Sequence, residues 1–167
     1  MEGHTHRGKW SSAGVPHRGW RCTGIDDLGE PSQVCAMCEC VEIRYVHFME
    51  HPDYHEPLGV GCVCAEHMEN DYVGPRARET RLRNETRRRS KWISRKWRTS
   101  REGISYLNVD GFNIQVFLAD VSKPGWMITI MRRDTLDRMC GRKRFPTSEK
   151  AKLAAFDALI WAKSKIG

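Results

Sequence analysis

The chain has no run of the ~18 apolar residues that a membrane-crossing helix requires. Its opening stretch, MEGHTHRGKWSSAGVPHRGW, also lacks the short apolar core of a secretory signal. These two absences lead to the expectation of a soluble, cytoplasmic protein. A third absence is even pairing: the seven cysteines are an odd number, which without a secretory signal argues against a disulfide framework and for metal. A mean hydropathy of -0.62, with 40% apolar and 29% charged residues, suits a globular chain with one wet segment and not a disordered one. Its 167 residues allow one ordinary domain or two small ones.

Acidic residues are scarce in one place. Between Arg76 and Arg101 the bases are Arg76, Arg78, Arg81, Arg83, Arg87, Arg88, Arg89, Lys91, Arg95, Lys96, Arg98 and Arg101, and only Glu79 and Glu85 oppose them. Twelve bases against two acids give this segment +10, so from a whole-chain net charge of +7 the remainder carries −3. A mildly acidic body thus carries one basic strap, which suits a polyanionic partner.

Composition changes along the chain define four zones. Residues 1–19 are Gly, Ser, His and Arg without periodicity and read as a flexible tail. Residues 20–73 hold six of the cysteines among many Gly and Pro, and predict a small, loop-rich module. Within it, Glu42 to Phe48 alternates and is rich in strand formers, so it reads as a strand. Residues 74–101 read as a basic helix, with Pro75 at its first position and Trp92, Ile93 and Trp97 pinning its last turns. Residues 102–167 read as a β-β-β-α domain. Asp110-Gly111 is its hairpin signal, Phe112, Ile114, Val116 and Leu118 alternate, and Pro124-Gly125 leads into a strand with Trp126, Ile128 and Ile130. A fourth short strand is expected near Lys143 to Phe145. Thr147 or Ser148 then caps a helix carrying Leu153, Phe156, Leu159 and Ile160. The expected class is α+β.

Cys35-x2-Cys38 has the spacing of a metal knuckle, and Cys62-x-Cys64-x2-His67 follows. Residues i and i+2 of an extended segment point the same way, so Cys62 and Cys64 can face one ion. The expected ligands are therefore Cys35, Cys38, Cys62 and Cys64, with His67 the first substitute and Cys22 and Cys40 weaker candidates. Four protein ligands describe a structural zinc site, and for so small a module the ion supplies much of the folding energy.

A Cys-x2-Cys pair, then His47 at a strand end, then a second cysteine cluster resembles the outline of His-Asn-His nucleases, and this resemblance makes His47 a general base. The second cluster is spaced differently from that family's, and the plainer reading has His47 packing inside the module. Trp126-Met127-Ile128-Thr129-Ile130, Gly141 to Thr147, and Glu149-x-Ala151-x2-Ala154-Ala155-Phe156-Asp157 resemble APETALA-type and phage-integrase arm-binding DNA domains, which implies a sheet that enters a groove. The helix opening Ser148-x-Lys150-Ala151-Lys152 resembles double-stranded-RNA-binding domains, which implies that Lys150 and Lys152 contact phosphates. Across most of the chain, Cys35-Ala-Met-Cys38-Glu, Glu42-Ile-Arg-Tyr-Val-His47, His51-Pro-Asp-Tyr54 and Val60-Gly-Cys-Val-Cys-Ala65 resemble a group of uncharacterised bacterial and mobile-element zinc-binding proteins. That resemblance implies one intact unit and no mechanism.

The sequence thus leads to a non-enzymatic nucleic-acid-binding protein with structural Zn2+. The strap supplies phosphate contacts, and Tyr106, Asn108, Gln115, Arg132 and Arg133 on the sheet add selectivity. DNA and RNA both remain open at this point. The alternatives are a zinc-containing nuclease using His47, and an adaptor whose strap docks on an acidic protein partner.

Overall fold

The computed structural model describes residues 6–120 and 122–166. The protein is α+β and divides into two compact units, Met1–Thr86 and Arg87–Gly167. No described helix is long and apolar enough to cross a membrane.

In the first unit, β1 (Arg21–Asp27) leads through β2 (Gln33–Val34) and β3 (Glu42–Ile43) into β4 (Tyr45–Glu50) and β5 (Leu58–Val60). Two helices follow, α1 (Cys62–Glu69) and α2 (Gly74–Ser90), and the last residues of α2 belong to the second unit. The main sheet is antiparallel in the order β1-β4-β5, with a bulge between Cys22 and Gly24, while β2 and β3 form a separate ribbon. The expected strand from Glu42 to Phe48 is therefore broken at Arg44. Ile43 pairs back with Gln33, and the Arg44 guanidinium donates to both oxygens of Asp27 at 2.6 and 2.9 Å.

The connection between the helices is built from local capping. Asn70 ends α1 in the left-handed conformation, φ 56, with its amide donating to the carbonyls of Glu66 and His67. Asp71 then accepts the amides of Val73 and Gly74, both at 2.9 Å, at the entry to α2.

The expected flexible tail is corrected by the structure. Its first five residues lie outside the described ones, but Gly8–Ser11 forms a 3-10 turn laid on the Cys35–Cys38 loop. The Lys9 amide donates to the Met37 carbonyl at 2.8 Å, and a Cβ on Gly8 would meet the Cys38 backbone at 2.7 Å. Trp10 and Trp20 are buried with Met37, Met49, Met68, Val46 and Val60. A polar stretch is ordered here because two indoles complete a core that the small module cannot otherwise close.

The second unit is a five-stranded antiparallel meander in the order β10-β9-β8-β7-β6. Its strands are β6 (Arg98–Thr99), β7 (Ser105–Val109), β8 (Phe112–Leu118), β9 (Trp126–Arg132) and β10 (Arg138–Cys140). The helix α3 (Ser148–Ser164) packs on β8 and β9. Asp110 and Gly111 form the hairpin turn with positive φ of 49 and 80, as their sequence requires. The short strand falls at Arg138–Cys140 and not near Lys143, because Phe145 reaches the sheet only through one bridge to Trp126.

Thr147 caps α3, its side chain accepting the Lys150 amide at 3.2 Å. Of the expected α3 face, Phe156 and Leu159 are buried, while Leu153 and Ile160 are half-buried and Ala151, Ala155 and Ala162 complete the buried stripe. Small alanines let the helix approach the sheet closely.

The basic helix is also shorter than 74–101. It stops at Ser90, and residues 91–97 turn so that Trp92 enters the core fully buried. The Trp92 indole donates to the Lys152 carbonyl at 2.7 Å and meets Trp97 and Phe156 edge-on. Burying a tryptophan with its N–H satisfied outweighs extending a helix of mutually repelling arginines.

Candidate metal centre and nucleic-acid interface

The knuckle forms because Glu39 takes a positive φ of 54 and its amide closes on the Cys35 carbonyl at 2.9 Å. This turn directs Cys35 and Cys38 inward, and α1 supplies Cys64 from its first turn. The three sulfur atoms are buried and lie within 4.8 Å of one another, so they could hold a metal ion. The Gly61 amide also donates to the Cys35 sulfur at 3.5 Å.

The acid–base state of the trio suits a cation. The Cys64 thiol donates to Cys35, and with further help from the Cys38 and Gly61 amides this holds Cys35 below its ordinary value despite burial. Cys64 is correspondingly pushed up, first by that hydrogen bond and then by burial. Cys38 is raised by burial. The hydrogen bond thus favours the thiolate form at Cys35 and the thiol form at Cys64.

Cys62 is the expected ligand that does not join this group. The expectation placed it in an extended segment, but residues 62–69 are helical, and two residues along a helix turn the side chain by about 200°. Cys62 instead lies with His47 and Glu79, their ligand atoms again within 4.8 Å of one another. His47 sits on the central strand at 0% exposure, with Nε2 3.2 Å from Glu79 Oε1. Its Nδ1 has no hydrogen-bond partner among the described residues. Burial opposes charge on the ring, but Cys22 and Glu79 outweigh it and leave the pKa raised. Burial and the Glu79 and Glu66 carboxylates push the Cys62 thiol up to about 12.

Of the remaining candidates, Cys22 lies beside His47 and not with the three sulfurs. The Cys40 side chain touches that of Cys38. The His67 ring stands edge-on to Trp10, with centroids 6.2 Å apart, and its Nδ1 is 3.3 Å from the Tyr72 hydroxyl. Val60-Gly61-Cys62-Val63-Cys64-Ala65-Glu66-His67-Met68 carries Cys64, Ala65 and Met68 at helical spacing, a signal that could have separated the two cysteines.

The strap is partly neutralised by the protein itself. Arg76 pairs with Glu66, and Arg78 with Glu69, in the first unit. Arg88 pairs with Asp110 at 2.6 Å and Arg89 with Asp157 at 3.1 Å in the second. Arg83 lies over the Tyr45 ring at 5.6 Å, and Arg95 over the Trp92 ring at 5.5 Å. Arg87 is exposed and has a partner. Arg81, Lys91, Lys96, Arg98 and Arg101 are exposed and make no side-chain hydrogen bond or ion pair among the described residues.

On the sheet of the second unit, register puts Arg98, Tyr106, Asn108, Asn113 and Gln115 on the face away from α3. Asn113 donates to Asn108 at 2.7 Å, and Gln115 to Asn113 at 3.0 Å, so this polar row is pre-arranged. Arg132 does not join it: it pairs with Phe112, whose side chain faces α3, and it binds Asp134 at 2.5 Å. Arg133 is exposed beyond the end of β9. Lys150 is exposed in the first turn of α3, while Lys152 lies over the Trp97 ring at 5.0 Å.

No family model matches this chain, and neither does any curated protein or solved structure.

Proposed function

We propose that this protein binds nucleic acid without catalysis, and that a structural zinc ion on Cys35, Cys38 and Cys64 holds its N-terminal unit. Three buried sulfurs within 4.8 Å of one another are a soft donor set, which favours zinc over hard cations. The fourth corner falls to Cys40 or His67, and Cys40→Ser and His67→Asn variants tell them apart by which one lowers zinc affinity.

The observation that carries the nucleic-acid reading is the residual charge of the strap. Arg81, Lys91, Lys96, Arg98 and Arg101 are exposed and have no carboxylate partner among the described residues, Arg83 stacks over Tyr45 and donates to its hydroxyl at 3.4 Å, and Arg95 lies over the Trp92 ring. Four bases spent on the protein's own carboxylates lower the expected number of phosphate contacts but leave exposed positive charge at Arg81 in the first unit and at Lys91, Lys96, Arg98 and Arg101 in the second. The open row Tyr106, Asn108, Asn113 and Gln115 offers donors and acceptors for base edges. His47 is fully buried against Glu79, which supports leaving it out of any general-base role, since such a base must reach its substrate.

The test is fluorescence anisotropy with labelled duplex DNA and duplex RNA over a range of salt. Affinity falling steeply with salt, with a log–log slope of about −4 to −6, is expected for five to seven phosphate contacts. No binding to either probe, together with a co-purifying acidic protein, would transfer the strap to a protein partner. Magnesium-dependent nicking abolished by His47→Ala would favour the nuclease.

A further inference from the structure

We propose that His47, Cys62 and Glu79 form a second metal site, separate from the three-cysteine group, that fastens α2 onto the three-stranded sheet. It does not depend on the nucleic-acid reading. The donors come from three elements: His47 from the middle of β4, Cys62 from the first turn of α1, and Glu79 from α2. Imidazole, thiol and carboxylate together suit a borderline divalent transition metal such as zinc.

Their ligand atoms lie within 4.8 Å of one another. Donors on a tetrahedral zinc, at bonds of about 2.0–2.3 Å, stand about 3.3–3.8 Å apart, so modest side-chain rotation closes the set.

Burial supplies an independent argument. His47 is fully enclosed, and its Nε2, 3.2 Å from Glu79 Oε1, is the ring nitrogen placed to donate its lone pair to an ion in the trio. Glu79 has a side chain only 18% exposed, and among the described residues its one hydrogen bond runs to His47. Neighbouring Glu66, by contrast, is neutralised by Arg76. A cation at the trio would therefore meet a carboxylate that, among the described residues, no guanidinium hydrogen-bonds.

The same helical turn feeds both sites. Cys62 and Cys64 diverge by two residues of helix, so one serves each ion. A cavity of about 240 Å³ reaches Cys35, Cys38 and Cys64 as well as Cys62 and Glu79, leaving room for solvent at an open corner. The Cys22 side chain lies beside the imidazole from outside the trio, its thiol donating to the Gly24 carbonyl at 3.2 Å. Because Glu79 is the α2 donor, an ion here ties the first turns of the arginine helix to the sheet.

The experiment uses the full chain, purified without a metal-affinity step, loaded with zinc or with cobalt(II) as a spectroscopic stand-in. Metal analysis is expected to give two ions per wild-type chain and one each in Cys62→Ser and Glu79→Gln. Cys64→Ser should remove the ion of the three-cysteine group and, with it, the fold on which the second ion depends. In cobalt-loaded protein, Glu79→Gln should keep the sulfur-to-metal charge-transfer intensity of the three-cysteine site and lose the weaker single-thiolate contribution. Hydrogen exchange of the amides of residues 76–86 should quicken in Glu79→Gln. One ion per wild-type chain, removed by Cys64→Ser but not by Cys62→Ser, would overturn the second site and leave the first standing. One ion removed by Cys62→Ser alone would do the reverse. Two ions untouched by Cys62→Ser and Glu79→Gln would also overturn it, and that result comes from wild-type-like proteins whose folding far-ultraviolet dichroism checks.

Discussion

The two units solve the same problem with different material. In the second, Leu107, Val109, Ile114, Val116, Ile128, Ile130, Leu159 and Phe156 make an aliphatic layer between one sheet and one helix. In the first, three cysteines, three methionines and two tryptophans outnumber the aliphatic Ile43, Val46, Leu58, Val60 and Ala65 in the core, with His47 and Glu66 also buried. Burial of aliphatic surface stabilises by about 25 cal/mol per Å² and needs no partner atom. Buried thiols, imidazole and carboxylate gain stability only when something satisfies them. The first unit should therefore depend on an ion and the second should not.

The sharpest way to separate the units is to remove one sulfur. Cys64→Ser should abolish cooperative unfolding of the first unit while the second keeps its transition. Structural zinc contributes about 10–16 kcal/mol of apparent binding energy, comparable to or larger than a small domain's whole stability of about 5–15 kcal/mol. Urea titration with a probe in each unit measures this, and an unchanged first transition would break the contrast. The matching change in the second unit is Trp92→Ala. Losing a fully buried indole and its bond to Lys152 should cost about 3–5 kcal/mol and leave metal content unaltered.

A smaller effect separates charges spent internally from charges left over. If the protein binds nucleic acid as proposed, replacing Arg81, Arg98 and Arg101 by Gln should make the salt slope of that binding shallower by about 0.9 for each phosphate that is no longer neutralised. Replacing Arg76, which is held by Glu66, should change that slope less and destabilise the first unit more. Equal effects from both sets would erase the distinction. Thr147→Ala, which removes the α3 cap, should cost about 1 kcal/mol in thermal unfolding of the second unit.

The smallest effect is acid sensitivity. Burial pushes Asp110 up, but hydrogen bonds from Lys163 and Arg88 outweigh it and hold its pKa below the ordinary 3.8. Its contribution is therefore present above that value and lost as pH falls through the lowered one. Asp110→Asn should flatten this limb of a stability-against-pH curve for the second unit.

How legible each unit was in the sequence follows from the same contrast. The alternation of Phe112, Ile114 and Val116, the Asp110-Gly111 turn and the Thr147 cap state the second fold locally, because period and turn chemistry act over a few residues. The first unit is written in long-range contacts. Trp10 closes over a knuckle nearly thirty residues later, Glu79 meets a histidine on a strand it follows by 32 positions, and no periodicity announces either. The Cys35–Cys38 pair was readable because a knuckle is a local turn. Cys62 was misplaced because strand geometry was assumed for a segment that Gly61 opens as a helix. The strap's excess charge was visible in composition, but which arginines meet Glu66, Glu69, Asp110 and Asp157 depends on tertiary structure.

Hydrogen exchange measured on the intact chain with and without a strong chelator tests the contrast most directly. Amides in β4, α1 and the start of α2 should lose protection when metal is withdrawn, while those in β7, β8, β9 and α3 exchange as before. Unchanged protection in the first unit, or equal loss in both, would contradict the claim that bound metal holds one half of this protein and hydrophobic packing the other.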